Sequence, residues 1–145
     1  MSRIWPVVAL VASATLGCGD STCTEAACEH QAVVTFPAGL LNGAYDLTLA
    51  PADGPLLSAR CSDPGAPELA DNAEGLTCNA TGFEVVGDAA RSRSVLVTVT
   101  DTDSGDVLVG GIEVRLDAVD EIQPNGPDCP PTCFVRNGQL AVAGP

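Results

Sequence analysis

The sequence of 145 residues contains no lysine, and its six basic residues, all arginines, stand against nineteen acidic residues. The formal net charge is −13 at pH 7. Nucleic-acid binding depends on clustered cations that replace phosphate counterions, and Arg91 and Arg93 are the only arginines close together in the sequence. We therefore expect no nucleic-acid partner. The same charge disfavours adsorption to anionic lipid headgroups, so attachment to a membrane would need an anchor.

Histidine and aromatic residues are also scarce. His30 is the single histidine, and its position between Glu29 and Gln31 predicts a solvated loop residue, not the base of a triad. The acidic residues are scattered over turn-forming segments, and no two of them stand out as the carboxylate pair of a glycosidase. Because no nucleophile, base and orienting group can be named together, the sequence predicts a protein without enzymatic activity.

The apolar segment at the amino terminus is too short to span a bilayer. It runs from Ile4 to Leu16 and follows Met1–Arg3, which carries one positive side chain. A membrane-spanning helix needs about 20 apolar residues, whereas shorter segments of this kind are typical of signal-peptide cores. The segment therefore predicts export from the cytoplasm.

The end of this segment carries a recognisable motif. Thr15, Leu16, Gly17 and Cys18 resemble the lipobox of bacterial lipoproteins, which has two small or apolar residues, a Gly or Ala, and then Cys. In that family the Cys sulfur receives a diacylglyceryl group and the signal is cut just before it. The resemblance implies a signal peptide over residues 1–17 and a membrane anchor on Cys18, since two or more acyl chains hold firmly.

Ordinary signal cleavage after Ala14 is the alternative to lipidation, because residues 12–14 also have the small-residue pattern of a cleavage site. Gly19, and not Asp, follows Cys18, which by resemblance to enteric sorting rules favours the outer membrane. The expected location is thus the cell envelope, at the periplasmic face or the cell surface.

Seven cysteines are present: Cys18, Cys23, Cys28, Cys61, Cys78, Cys129 and Cys133. A lipid on Cys18 leaves an even number, and in an oxidising compartment we expect the other six to form three disulfides. Sequence alone does not choose among the possible pairings. We favour a Cys61–Cys78 bridge and two bridges between the Cys23/Cys28 pair and the Cys129/Cys133 pair. Zinc on Cys23, Cys28 and His30 is less favoured, since their spacing is not that of a zinc knuckle.

Apolar residues alternate with polar ones at period two in three segments, which indicates half-buried β-strands. These segments are residues 45–49, 95–100 and 112–116. Further strands are expected over residues 31–36, 56–61, 82–86 and 140–143. Asn137-Gly138 suits a hairpin turn, and residues 67–74 suit a short helix. About seven or eight short strands predict an all-β fold, a small antiparallel β-sandwich over residues 31–145, preceded by a tether over residues 18–30.

Two further resemblances concern the folded part. The run VTVTDTDSGDVLVGGIEVRL, residues 97–116, resembles the prealbumin-like or carboxypeptidase-regulatory-like sandwich repeat. The arrangement of the cysteines, with the late block QPNGPDCPPTC over residues 123–133, is similar to small cysteine-rich lipoproteins of high-GC soil bacteria. Both resemblances imply an accessory or surface module and bring no catalytic residues.

One acidic turn is a candidate metal site. Asp101, Asp103 and Asp106 surround Ser104-Gly105, and alternate acids in a tight turn can supply oxygen ligands for calcium. The order differs from an EF-hand loop, because Gly105 precedes Asp106 and no bidentate acid follows. We favour a hairpin with solvated acids and keep calcium as the alternative; no other cofactor is expected.

The function that these features predict is a non-catalytic lipoprotein of the cell envelope. It would be held to the membrane through the lipid on Cys18 and would act as a structural or interaction module for an envelope protein. Two alternatives stay open: a calcium-dependent binding or adhesion domain built on the Asp101 turn, and a periplasmic enzyme or enzyme inhibitor.

Overall fold

A computed structural model describes residue 23, residues 25–62 and residues 74–142, which form two β-sheets packed face to face. The strands in chain order are β1 (Gln31–Thr35), β2 (Tyr45–Pro51), β3 (Leu57–Cys61), β4 (Leu76–Asn79), β5 (Gly82–Val86), β6 (Ser94–Asp101), β7 (Val107–Arg115), β8 (Asp117–Ile122) and β9 (Cys133–Gln139). One sheet has the order β4-β5-β1-β9-β8 and the other β3-β2-β6-β7. The predicted all-β sandwich is confirmed, with nine strands in the described ranges instead of seven or eight.

The core forms from the inward-facing residues of the alternating strands. In β2, Tyr45, Leu47 and Leu49 are buried while Asp46 and Thr48 between them are only partly covered. The neighbouring strand β6 of the same sheet repeats this pattern with three buried valines, because successive side chains of a strand point to opposite faces. Removal of these apolar side chains from water is the main favourable contribution to folding.

Three aromatic rings gather at one end of the sandwich. Phe36 packs edge to face against Tyr45 and Phe83, with ring centroids 6.2 and 5.9 Å apart. The Tyr45 hydroxyl donates a hydrogen bond to the Asn79 carbonyl at 2.6 Å. Burial raises the pKa of the Tyr45 hydroxyl well above its usual range. This buried phenol therefore stays neutral and joins β2 of one sheet to β4 of the other.

All strand pairs are antiparallel except one. β1 lies between β5 and β9 in the five-stranded sheet, and it pairs with β9 in parallel, from Gln31 opposite Val135 to Thr35 opposite Gln139. The first strand of the described domain is therefore held by a strand close to its carboxyl end. This long-range pairing brings the cysteines that precede β1 next to those at the start of β9.

Several local predictions are wrong. Asn137-Gly138 lies inside the continuous strand β9 and does not form a hairpin turn. Residues 140–142 are not in a strand, and residue 143 lies outside the described residues. Three strands were not predicted: β4 is short, all six residues of β8 are exposed, and β9 contains the turn-like Asn137-Gly138. The predicted helix over 67–74 falls outside the described residues except for Glu74, which lies in a turn.

The described residues include a single 3₁₀ turn, Asp88–Arg91, between β5 and β6. In this part of the chain no helix is both long enough and apolar enough to span a membrane.

Candidate functional site

Two disulfides fasten the segment before β1 to the segment before β9. We call Cys23 together with residues 25–30 the amino-terminal strap. Cys23 is bonded to Cys129 and Cys28 to Cys133, with Cα–Cα distances of 5.5 and 6.1 Å. The bridged residues are 106 and 105 positions apart in the sequence. The strap is thereby joined covalently to the far end of the domain, in the pairing that we favoured from the sequence.

The strap is also held by the side chain of Asn125. The Asn125 Oδ1 accepts a hydrogen bond from the Ala26 N–H at 3.0 Å, and its Nδ2 donates to the Ala26 carbonyl at 3.0 Å. The same Nδ2 donates to the Pro130 carbonyl at 2.7 Å. Asn125 thus fixes the strap on one side and the cysteine-bearing loop on the other. In the sequence, Asn125 precedes Gly126 and Pro127, a combination typical of turns, and its partner Ala26 is too distant along the chain to be inferred.

His30 ends the strap and is not a fully solvated residue. Its Nδ1 accepts a hydrogen bond from the Phe134 N–H at 3.1 Å, and its ring stacks near the Phe134 ring at a centroid distance of 6.0 Å. Burial, followed by the positive charge of Arg91, lowers the pKa of His30 below 6.5. Because Nδ1 accepts a hydrogen bond, the neutral ring carries its own proton on Nε2. His30 therefore has a structural partner and joins the end of the strap to β9.

The third disulfide closes another part of the sandwich. Cys61 at the end of β3 is bonded to Cys78 in β4, with a Cα–Cα distance of 5.6 Å and a sequence separation of 17. β3 and β4 are edge strands of different sheets. This bridge, which we favoured from the sequence, therefore ties the two sheets together along one open edge.

The acidic turn links β6 to β7. The Asp101 Oδ1 accepts hydrogen bonds from the backbone N–H groups of Asp103 and Ser104, at 2.9 and 2.7 Å. The bond from Ser104 is the main reason that the pKa of the Asp101 carboxyl lies below its usual value. The Asp106 N–H is bonded to the Ser104 hydroxyl at 3.2 Å. Asp101 thus stabilises the turn itself, in the manner of an Asx turn.

No group of three or more His, Cys, Asp or Glu side chains within residues 25–62 and 74–142 is arranged to hold a metal ion. In that part of the chain, Asp103 and Asp106 form their hydrogen bonds in the turn through backbone N–H groups, and their exposed carboxylates form none with Asp101. The turn geometry therefore adds no support to the calcium hypothesis, which stays a prediction.

The strap and the acidic turn lie at opposite ends of the sandwich. β1 runs away from the strap, and Phe36, just beyond its end, packs on the Tyr45 ring. Tyr45 is opposite Asp101 in the β2–β6 register, and the Thr102 N–H donates to the Ala44 carbonyl at 3.2 Å. We call the end that carries the Asp101 turn the distal end, and the end that carries the strap the proximal end.

Comparison with known proteins gives no match, whether to protein families, to curated proteins or to solved structures. Inference about function therefore depends on the chemistry and placement of the residues of this chain.

Proposed function

We propose that this chain is an exported, lipid-anchored, non-catalytic module of the bacterial cell envelope that interacts with another envelope component. The observation that carries the proposal is the pairing of the cysteines. All six that the structure describes form three disulfides, and Cys18, the seventh, is the residue in the lipobox position.

The disulfides support export because such bonds persist in oxidising compartments and are reduced in the bacterial cytoplasm. The pairing also supports lipidation, since it leaves no described cysteine as a partner for Cys18. A thioether on Cys18 removes the one thiol that could otherwise exchange with the three bridges.

The position of the strap determines which end of the domain would face the membrane. From Cys18 to Cys23 the chain spans at most about 17 Å, and Cys23 is bonded to the proximal end through Cys129. A lipid on Cys18 would therefore hold the proximal end near the bilayer. The distal end, with the Asp101 turn, would face away from that membrane and be the accessible surface for a partner.

The anchor is tested by expressing the full chain in a bacterial host beside a Cys18→Ser variant. We expect the wild-type protein to enter the detergent phase on phase separation and its mass to show a diacylglyceryl group on a chain that begins at Cys18. The variant should stay in the aqueous phase. Retention of the first residues without lipid, or a gain of fewer than six hydrogens on reduction, would contradict the proposal.

The interaction role is tested by photo-crosslinking in intact cells, with the crosslinking residue placed in turn at Asp103 and at Glu25. Both side chains are exposed, the first at the distal end and the second in the strap. We expect one defined protein adduct from Asp103 and lipid adducts from Glu25. Protein adducts of the same identity and yield from both positions would contradict the proposed orientation.

A further inference from the structure

A cleft at one edge of the sandwich collects half of the positively charged side chains of this acidic protein. It has a volume of about 760 Å³ and lies where β7 of the four-stranded sheet passes β8 and β9 of the other. Five of the six arginines are within the described residues, and Arg93, Arg115 and Arg136 all line this cleft. Such a concentration is unexpected in a chain with a net charge of −13.

Arg136 enters the cleft from the core-facing side of β9. It stands opposite Ala32 in the β1–β9 register, and Ala32 is 1% exposed, so both side chains lie on the inner face of the sheet. The guanidinium lies over the Phe134 ring, with Cζ 5.2 Å from the ring centroid. This cation–π contact orients the group without neutralising its charge.

The charge of Arg136 is not balanced within the described residues. Nη1 donates to the Leu116 carbonyl at 3.4 Å, and the buried Nε has no hydrogen-bond partner in this part of the chain. Arg136 forms no ion pair with any described residue. A guanidinium keeps its proton at any ordinary pH, so its partial burial without an anion costs free energy that a bound anion would recover.

Leu116 is bonded to both the Arg136 side chain and the backbone of a second arginine of the cleft. Its N–H donates to the Arg93 carbonyl at 2.8 Å, while its own carbonyl accepts the bond from Arg136. Arg93 is exposed and, within residues 25–62 and 74–142, forms no ion pair. Arg93 and Arg136, neither of which forms an ion pair with a described residue, therefore both line the cleft next to Leu116.

The remaining lining limits the charge of a ligand. Arg115 is bonded to Asp117 at 3.1 Å, and Glu113 is a second acid at the cleft. Asp117 pairs with Arg115, and Glu113 adds a further negative charge near Arg93 and Arg136, so the cleft disfavours a polyanion. Leu116, Ala118 and the Phe134 ring add apolar surface.

We propose that this cleft binds an organic carboxylate with an apolar side group, held by Arg93 and Arg136. Arginine suits this task because its planar donors match the two oxygens of a carboxylate. The carboxylate could belong to a free acid or to the carboxyl terminus of a peptide. The site belongs to the folded domain and does not depend on the lipid anchor.

The test is calorimetric titration of the full-length protein in detergent micelles. The probes are N-acetylphenylalanine, its uncharged amide, a pentapeptide ending in phenylalanine, and inorganic phosphate. We expect both carboxylates to bind and the amide to bind at least about tenfold more weakly, since a charge-assisted bond is lost. Much tighter binding of the pentapeptide would identify a peptide terminus, and equal binding a free acid.

Arg93→Gln and Arg136→Gln should each weaken carboxylate binding by about tenfold or more. Arg60→Gln is the matched control. Arg60 lies on β3, which is the edge strand opposite β7 in the same sheet, and it pairs with Asp46 of β2. Arg93 is exposed, so its replacement keeps the test valid even if Arg136→Gln impairs folding. Equal binding of acid and amide, tighter binding of phosphate, no binding, or an equal loss with Arg60→Gln would each overturn the proposal.

Discussion

The Asn125 side chain forms two hydrogen bonds with the backbone of Ala26: Oδ1 accepts from its N–H and Nδ2 donates to its carbonyl, each at 3.0 Å. The two residues are 99 positions apart. This side chain supplements the covalent connection made by the two disulfides and holds the strap against the loop before β9.

Replacement of Asn125 by alanine removes these bonds and the bond to the Pro130 carbonyl. We expect the free energy of unfolding to fall by about 2 kcal/mol, because several partly exposed hydrogen bonds are lost together. Urea denaturation measures the change. Asn42→Ala is the control, since Asn42 is exposed and its side chain forms no hydrogen bond with a described residue. An unchanged midpoint for Asn125→Ala would refute the role of this contact.

The two strap disulfides should contribute in a non-additive way. Each closes a loop of more than 100 residues, but once one is formed the other closes only a short additional loop. Replacing either pair by alanines should therefore cost about 3 kcal/mol, and replacing both pairs about 7 kcal/mol. Denaturation of the single-pair and two-pair variants checks this. The Cys61–Cys78 pair provides a comparison with a separation of 17 residues. Strictly additive losses would contradict the argument.

His30 should make stability depend on pH. Burial lowers its pKa in the folded protein below 6.5, so the unfolded chain binds more protons in that range. The stabilisation is complete above about pH 6.5 and is lost as the pH falls through the lower folded pKa. Protonation of Nδ1 also breaks the bond from the Phe134 N–H.

A His30→Asn variant tests this dependence, because an amide oxygen can accept the Phe134 N–H bond without titrating. We expect wild-type stability to decline between pH 7 and pH 5 more steeply than that of the variant, as measured by urea denaturation at each pH. Parallel declines in the two proteins would show that His30 does not carry the effect.

Asp101 should stabilise the β6–β7 turn as a carboxylate. Hydrogen bonding from the Ser104 N–H lowers its pKa in the folded protein, so this stabilisation is present at neutral pH and is lost as the pH falls through the folded pKa. Asp101→Ala should lower the melting temperature more than Asp101→Asn, which keeps an acceptor oxygen. Asp103→Asn is the control, since only the backbone of Asp103 contacts Asp101. Equal melting temperatures for all three variants would contradict this role.

The same proteins decide the calcium alternative. Because two backbone N–H groups already occupy Oδ1 of Asp101, we expect calcium to leave the melting temperature unchanged. A calcium-dependent rise that Asp103→Asn abolishes would instead support the binding or adhesion hypothesis.

Gly138 should tolerate no side chain. A Cβ there would lie 2.8 Å from a Val114 methyl group and 2.9 Å from the Arg115 carbonyl oxygen, where β7 passes over β9. We expect Gly138→Ala to destabilise the protein by about 1 to 3 kcal/mol through this overlap. Gly43→Ala is the matched control, because nothing lies within 4 Å of its added Cβ. A neutral effect at Gly138 in thermal denaturation would show that β7 can move away at little cost.

The period-two pattern was sufficient to predict β2 and β6, since alternation along a strand reflects which of its faces is buried. It could not predict β8, which has no buried face, or the role of Gly138, which depends on contact with β7. Asn137-Gly138 resembles a turn locally, but pairing with β1 and β8 keeps it extended.

The sequence by itself determined the all-β class, the acidic surface and the number of cysteines available for bridges, because these follow from composition and local pattern. Only the tertiary structure decided the parallel pairing of β1 with β9, the hydrogen bonds of Asn125 to Ala26 and the placement of Arg93 and Arg136 in one cleft. Those relationships join residues far apart along the chain, and their proximity arises from the packing of two whole sheets, which no local pattern encodes.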